Sequence, residues 1–464
     1  MTLSIKMSPA AIAINRFGLG ARQDETAPVD AKQWLLTQLD NYLPAPAAWA
    51  DQAKTASLVA ATASKQQNMR SSDEAARDNV KRMFRQEVRD DYQSAVTARA
   101  ESALTTTTPF VERLVHFWAN HFAISIEKPA VAEFAGAYEL EAIRPHVLGS
   151  FSEMLLAVER HPAMLLYLDQ AKSIGPQSTL ASRMAQREPD KKHGLNENLA
   201  REIMELHTLG VRSGYTQLDV TEFASALTGW SVTGNRRDKN AEAESNGFMF
   251  RPALHEPGTR NIMGRSYSQN GESQAEAVLQ DLASSPATAN HIATKLARHF
   301  VSDTPPQKLV DKLAATFLHE NGNLTSLYRV LIYTDECWEA APAKFKTPWE
   351  WMISSLRGTG RNNLNNIKIA QIMNQLGQPI WKPGSPAGYD DIADSWAAPD
   401  ALLRRVELAQ RLANPLGDKL DARSLGNKLL MGAISPQTEA AIARSESATS
   451  SLVLLLVSPE FLRR

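Results

Sequence analysis

The sequence predicts a predominantly helical, all-α fold with one small β-hairpin near residues 247–264. Three observations predict it. Apolar residues recur at helical spacing along nearly the whole chain. Period-two alternation is confined to one place, where Phe248 and Phe250, then Ile262, flank a turn containing Pro and Gly. The composition, 43% hydrophobic and 22% charged, is that of an ordinary globular protein, neither disordered nor fibrous.

In chain order, a short first helix is broken by Gly18, Gly20 and the polar stretch to Thr26, and residues 34–43 predict a second. Residues 65–102 are rich in Arg, Asp, Glu, Gln and Ala, which predicts one or two long helices with a solvated face. Further helices are expected over 109–123, 130–142 and 150–168. The Gly-, Pro- and Ser-containing stretch 173–194 reads as a loop or linker. The chain is therefore read as one helical domain, 1–464, divisible into halves 1–172 and 194–464 about a 173–193 linker. A helix opening near Asn196 is expected to end at Gly210, and Thr216 with Asp219 resembles a capping box that starts the next. Residues 235–247 predict a loop. Helices resume at Ser273 and are interrupted by the Gly-, Pro- and Trp-rich loop 378–396. The strings VLIYTDECW, 330–338, and LLLVSPEFL, 454–462, look alike, as remnants of an internal repeat would.

Fifty Lys and Arg face 51 Asp and Glu with no local basic run, so nucleic acid is not an expected partner. The single cysteine, Cys337, excludes an internal disulfide and any Cys-based zinc cluster, and reads as a small core filler. No apolar run approaches the ~20 residues of a membrane span. No conventional signal peptide is visible, so a cytoplasmic location is expected unless the chain is exported with a signal-bearing partner. P-loop, Rossmann glycine, Gly-x-Ser-x-Gly and His-Glu-x-x-His patterns do not occur.

Four segments concentrate polar chemistry. In GLNENLAREIMELHTLG, 194–210, helical spacing puts Glu197, Asn198, Arg201, Glu202, Glu205 and Thr208 in one arc of roughly 140°, with His207 on the apolar side. Such an arc is either a solvated face with i,i+4 ion pairs or the wall of a cleft, where carboxylates around an Arg could hold a divalent metal. In VERLVHFWANHFAIS, 111–125, Glu112, His116 and Asn120 share a polar face, while His121 sits at the apolar edge and is five residues from His116, the wrong spacing for a helix-borne zinc pair. FMFRPALHEPGTRNIMG, 248–264, groups Arg251, His255, Glu256 and Arg260 about a turn. Between Trp381 and Trp396 lie Tyr389, Asp390, Asp391 and Asp394, where aromatics either stack on a ligand or plug gaps between helices.

The strings FWANHFAIS, IRPHVLGSF, HPAMLLYLD, GLNENLAREIMELHTLGV with GYTQLDVTEFASALTGW, and FRPALHEPG resemble, in that order, the bacterial family called domain of unknown function 1800. The resemblance runs from NRFGLGA to SPEFLRR, essentially the whole chain. It implies no assigned activity. It does imply an export signal of the twin-arginine type in many members, and a gene neighbour from a second uncharacterised family, 1501, as a candidate partner. The matching polar positions here are His121, Glu197, Asn198, Arg201, Glu202, Glu205, His207, Thr208, Tyr215, Asp219, Thr228, Trp230 and His255.

These residues support two functional readings. In the first, an enzyme or ligand-binding protein gathers the 196–208 helix, His121 and the His255 turn at one cleft. Glu205 is then the base, Arg201 the anion holder and His207 a catalytic partner, with His121, Glu202 and His255 as ligands for a divalent metal in hydrolysis or group transfer. In the second, a non-catalytic scaffold or export-partner protein uses the same residues as a structural hydrogen-bond network.

Overall fold

The computed structural model describes residues 6–71, 73–187, 194–233 and 246–464, and the side chains of all of these except 66–71 and 418. Helices dominate, as the periodicity predicts. The long charged stretch forms Thr55–Ser71 and Glu74–Thr105, the latter exposed along its first half and buried from Ala95 onward. Thr216 and Asp219 do form a capping box, and Gly210 takes the left-handed conformation (φ +91°) just after the helical segment that it terminates. No helix among the described residues is long and apolar enough to cross a membrane.

The centre of the molecule is the helix Pro109–His121, opened by Pro at its first position and buried along nearly its whole length. Phe17, on the N-terminal segment, packs edge-on against Phe110 with ring centroids 5.6 Å apart and stacks on Phe300 at 5.5 Å. Trp118 donates its indole N–H to the Tyr328 hydroxyl at 2.7 Å, and that hydroxyl donates to the Val147 carbonyl at 2.9 Å. These contacts bind Pro286–Phe300 and Leu324–Tyr333 to the central helix, so one apolar core draws on both halves of the chain. Cys337 is part of that core, its thiol pushed up to about 12 by burial.

The structure differs from the sequence expectation in three places. The expected single hairpin is two ribbons: β1 (Trp230–Val232) pairs antiparallel with β2 (Phe248–Phe250), and β3 (Arg260–Ile262) with β4 (Arg265–Tyr267). Phe248 and Phe250 lie on a strand as expected, but Met249 between them is buried too, and their partner strand lies upstream. The stretch expected as a loop over 173–194 contains the helix Thr179–Arg187, which buries none of its residues fully and half-buries a stripe of Leu180, Ala181 and Met184. The loop expected over 235–247 lies, up to residue 245, outside the described residues. Finally, three helical stretches widen into π-helix, at Ile12–Phe17, Glu139–Ile143 and Ile203–His207. Each insertion rotates the residues after it relative to a regular helix.

Candidate functional site

Four elements enclose a cleft of about 540 Å³. The central helix supplies Arg113, His116, Phe117, Asn120 and His121; Pro286–Phe300 supplies His291, Thr294, Lys295, Arg298 and His299. Thr347, Trp349 and Glu350 come from the start of Pro348–Gly358, and the 378–392 loop closes the cleft with Trp381, Tyr389 and Asp391. Asn120 fixes that loop as a strand neighbour would: its Nδ2 donates to the Tyr389 carbonyl at 2.9 Å and its Oδ1 accepts from the Tyr389 N–H at 2.8 Å. Gly388, at φ +80°, is required beside it, because a side chain there would collide with the Asn120 carbonyl.

The charge distribution depends on which groups already have partners. Glu350 pairs with Arg113 and, at 3.0 Å, with Arg464; burial alone would raise its carboxyl, but the two guanidinium groups outweigh burial and hold it well below the usual range. Asp391 lies 2.5 Å from Nδ1 of His299 and 3.2 Å from Lys344, and these groups likewise overcome burial to keep it ionised. An ionised Asp391 fixes the proton of His299 on Nδ1 and leaves Nε2 with a lone pair. That Nε2 is buried and has no hydrogen-bond partner among the described residues. Arg99 is committed to Glu139 at 2.8 Å and stacks on Trp349 at 4.5 Å. Lys295 and Arg298, one turn apart, form no ion pair among the described residues; Arg298 donates only to the Asp303 carbonyl at 3.3 Å. Burial lowers the Lys295 ammonium to about 8, Asp391 opposing and Arg298 adding to the shift.

A histidine cluster adjoins this wall. His121 donates from Nε2 to the His207 carbonyl at 3.1 Å, His291 from Nε2 to the Leu206 carbonyl at 3.1 Å, and His207 places Nδ1 2.7 Å from Glu159. Ring centroids of His121 lie 6.4 Å from His207 and 6.0 Å from His291. Burial drives His121 well below its ordinary value and His291 down to about 4, with Lys295 adding to both. Nδ1 of His121 and Nε2 of His207 have no hydrogen-bond partner among the described residues.

The residues singled out from sequence divide between places. His121 and His207 meet in the histidine cluster. Glu202, half-buried near His207, has its carboxyl raised by burial. Arg201 is at the surface, its side chain 37% exposed, paired with Glu197 at 3.0 Å and bonded to Gln217 at 2.9 Å. Glu205 lies near Tyr215, whose hydroxyl is raised by burial and by this carboxylate, and forms no ion pair with Arg201 among the described residues. His255 bonds to the Thr228 carbonyl at 2.8 Å and packs against Phe250, and none of its contacts is with His121 or Glu202. No three His, Cys, Asp or Glu groups among the described residues are gathered so as to hold a metal ion. The expected metal set His121, Glu202 and His255 is thus not assembled by the contacts seen. Of the two readings of the arc, the solvated one describes its Glu197–Arg201 part, which forms the i,i+4 ion pair; His207 is buried on the apolar side as expected, and Thr208, expected on the polar arc, is buried with it.

Sequence reasoning missed His291, Lys295 and His299. The signal was present: they stand four residues apart, with Thr294 and Arg298 beside them, so they form one stripe of a helix. His116, Asn120 and Asp391 were singled out, but without the partners that give them a role.

Fold and site together define a helical protein organised about a histidine-lined, cationic interior cleft. The chain belongs to the family of proteins of unknown function DUF1800, whose family model matches residues 12–463. No curated protein and no solved structure matches it.

Proposed function

We propose that the protein is an enzyme that binds a small anionic substrate in the cleft and carries out hydrolysis or group transfer there, with His299 as the base. The observation that carries this reading is the pairing of His299 with Asp391 on one wall, beside two cations, Lys295 and Arg298; among the described residues Nε2 has no hydrogen-bond partner and the two cations have no carboxylate partner. A histidine held in one tautomer by a carboxylate is suited to accept a proton from a nucleophile or water. Unneutralised cations in a partly water-excluded cleft attract an anion more strongly than they would in bulk solvent. The base therefore moves from the expected Glu205 to His299, and the anion holder from Arg201 to Arg298.

Calorimetric titration of the full chain with pyruvate, phosphate and sulfate tests the reading. At least one anion should bind at 1:1 stoichiometry, Arg298→Gln should weaken binding at least tenfold, and Lys308→Gln, at a side chain that is 88% exposed, should not. Binding that is equally lost in both variants, or absent for all three anions, contradicts it.

A further inference from the structure

We propose that Lys295 forms an imine with a small carbonyl compound bearing a carboxylate. The inference rests on the anion-site reading of the cleft and names its substrate class.

Among the described residues Lys295 is the only lysine that lines the cleft, and it has no ion-pair partner. Two other amines are committed: Lys344 pairs with Asp303 at 2.6 Å and with Asp391, and Lys128 pairs with Asp169 at 2.7 Å; Lys346, which has no carboxylate partner among the described residues either, is buried and does not line the cleft. An amine held by a carboxylate stays an ammonium ion and has no lone pair to offer; an amine in a partly desolvated cleft next to Arg298 gives up its proton more readily. Its shift to about 8 agrees with that geometry. His299 lies one helical turn further on, so its Cβ is about 5–6 Å from that of Lys295. Its Nε2 is an acceptor with no hydrogen-bond partner among the described residues. Arg298 is placed to hold the carboxylate of the same molecule, and Trp349, Trp381 and Tyr389 enclose the space around it.

In the step, the lone pair of neutral Nζ attacks the carbonyl carbon and the C=O π pair moves to oxygen. One of the two Nζ protons passes through His299 Nε2 to that oxygen, giving a carbinolamine. The nitrogen lone pair then expels the hydroxyl, which leaves as water after receiving the second Nζ proton by the same route, and a C=N bond remains. Amine plus carbonyl give imine plus water, with no oxidant or reductant. Asp391 acts as a positioning residue, holding the His299 proton on Nδ1 throughout.

The test treats the full chain with pyruvate and cyanoborohydride at neutral pH and maps the modified peptides by mass spectrometry. The expected result is one carboxyethyl group, on Lys295, appearing at least tenfold faster than on the exposed Lys308 and Lys172 and slowed at least tenfold in Asp391→Asn. In parallel, calorimetry compares pyruvate with lactate, which keeps the carboxylate but lacks the carbonyl. If Lys295 stays unmodified while both acids bind, the imine is wrong and the anion site stands. If neither binds and Lys295 stays unmodified, both readings fall.

Discussion

Nδ1 of His299 stands 2.5 Å from Oδ2 of Asp391, whose other oxygen faces Lys344 at 3.2 Å and Arg464 at 3.7 Å. One carboxylate therefore serves two purposes, orienting an imidazole toward a cleft and compensating two cations beneath it. Asp391→Asn leaves Lys344 and Arg464 under-compensated and should lower stability by about 3 kcal/mol, the scale for removing one partner of a buried pair. Urea melts check it; an unchanged midpoint with an unchanged slope would show that the carboxylate does not support the wall of the cleft.

A second prediction concerns the polar network behind the cleft. Arg144 grips Glu112 with two hydrogen bonds, at 2.9 and 2.7 Å, and Ser102 adds a third at 3.0 Å, all in the interior. Every oxygen of this carboxylate has a partner, so the group reads as structure rather than chemistry. Glu112→Gln should cost about 3–5 kcal/mol. A cost under 1 kcal/mol, measured in the same melts, would mean that water or rearrangement compensates Arg144.

Glu205 gives the opposite case. Arg201, four residues before it, already pairs with Glu197 at the surface, so the charge of Glu205 is not needed to balance a buried guanidinium. Glu205→Gln should shift stability by less than about 0.5 kcal/mol, as surface substitutions do. A loss near 3 kcal/mol would favour the cleft-wall reading of this polar arc over the solvated one.

The contrast between Glu205 and His299 shows what the sequence could convey. Helices, caps and the exposed half of the long charged segment were legible because each depends on neighbours within a turn or two. Thr208 was misplaced on the 197–208 polar arc because regular 100° spacing was applied through Ile203–His207, where the helix widens and Thr208 bonds back to the Ile203 carbonyl five residues earlier, at 2.7 Å, whereas Glu197 and Arg201, ahead of the π-turn, form the i,i+4 pair of the solvated reading. The cleft was hidden for a different reason. The stripe His291, Lys295, His299 could be read from spacing, but Asp391 meets it only because Asn120 and Gly388 seat a loop that is remote in sequence. No local pattern encodes that meeting.

Lys346 supplies a pH prediction. It is buried, its ammonium bonds only to Ser354, at 3.2 Å, among the described residues, and it lies over the Phe461 ring at 4.2 Å; burial brings it down to about 7 although Glu350 opposes the shift. Between about pH 7 and the ordinary lysine value near 10.4 the unfolded chain carries this proton and the folded chain does not. Stability should therefore rise with pH across that window, by up to about 1.4 kcal/mol per unit from this group, and level off below it. Lys346→Met should flatten the rise and leave the protein more stable at pH 7. An identical pH dependence in the variant would show that Lys346 keeps its proton in the folded state.

The central claim is that the cleft bounded by His299 and Asp391 is where this protein binds its ligand, and nitrogen-15 spectra of histidine-labelled protein test it most directly. The expected spectrum shows a His299 ring protonated at Nδ1 and bare at Nε2, whose signals, with those of His291, move on addition of pyruvate while His255 stays fixed. A His299 ring protonated at Nε2, or pyruvate-induced shifts at His255 with none at His299, would contradict it.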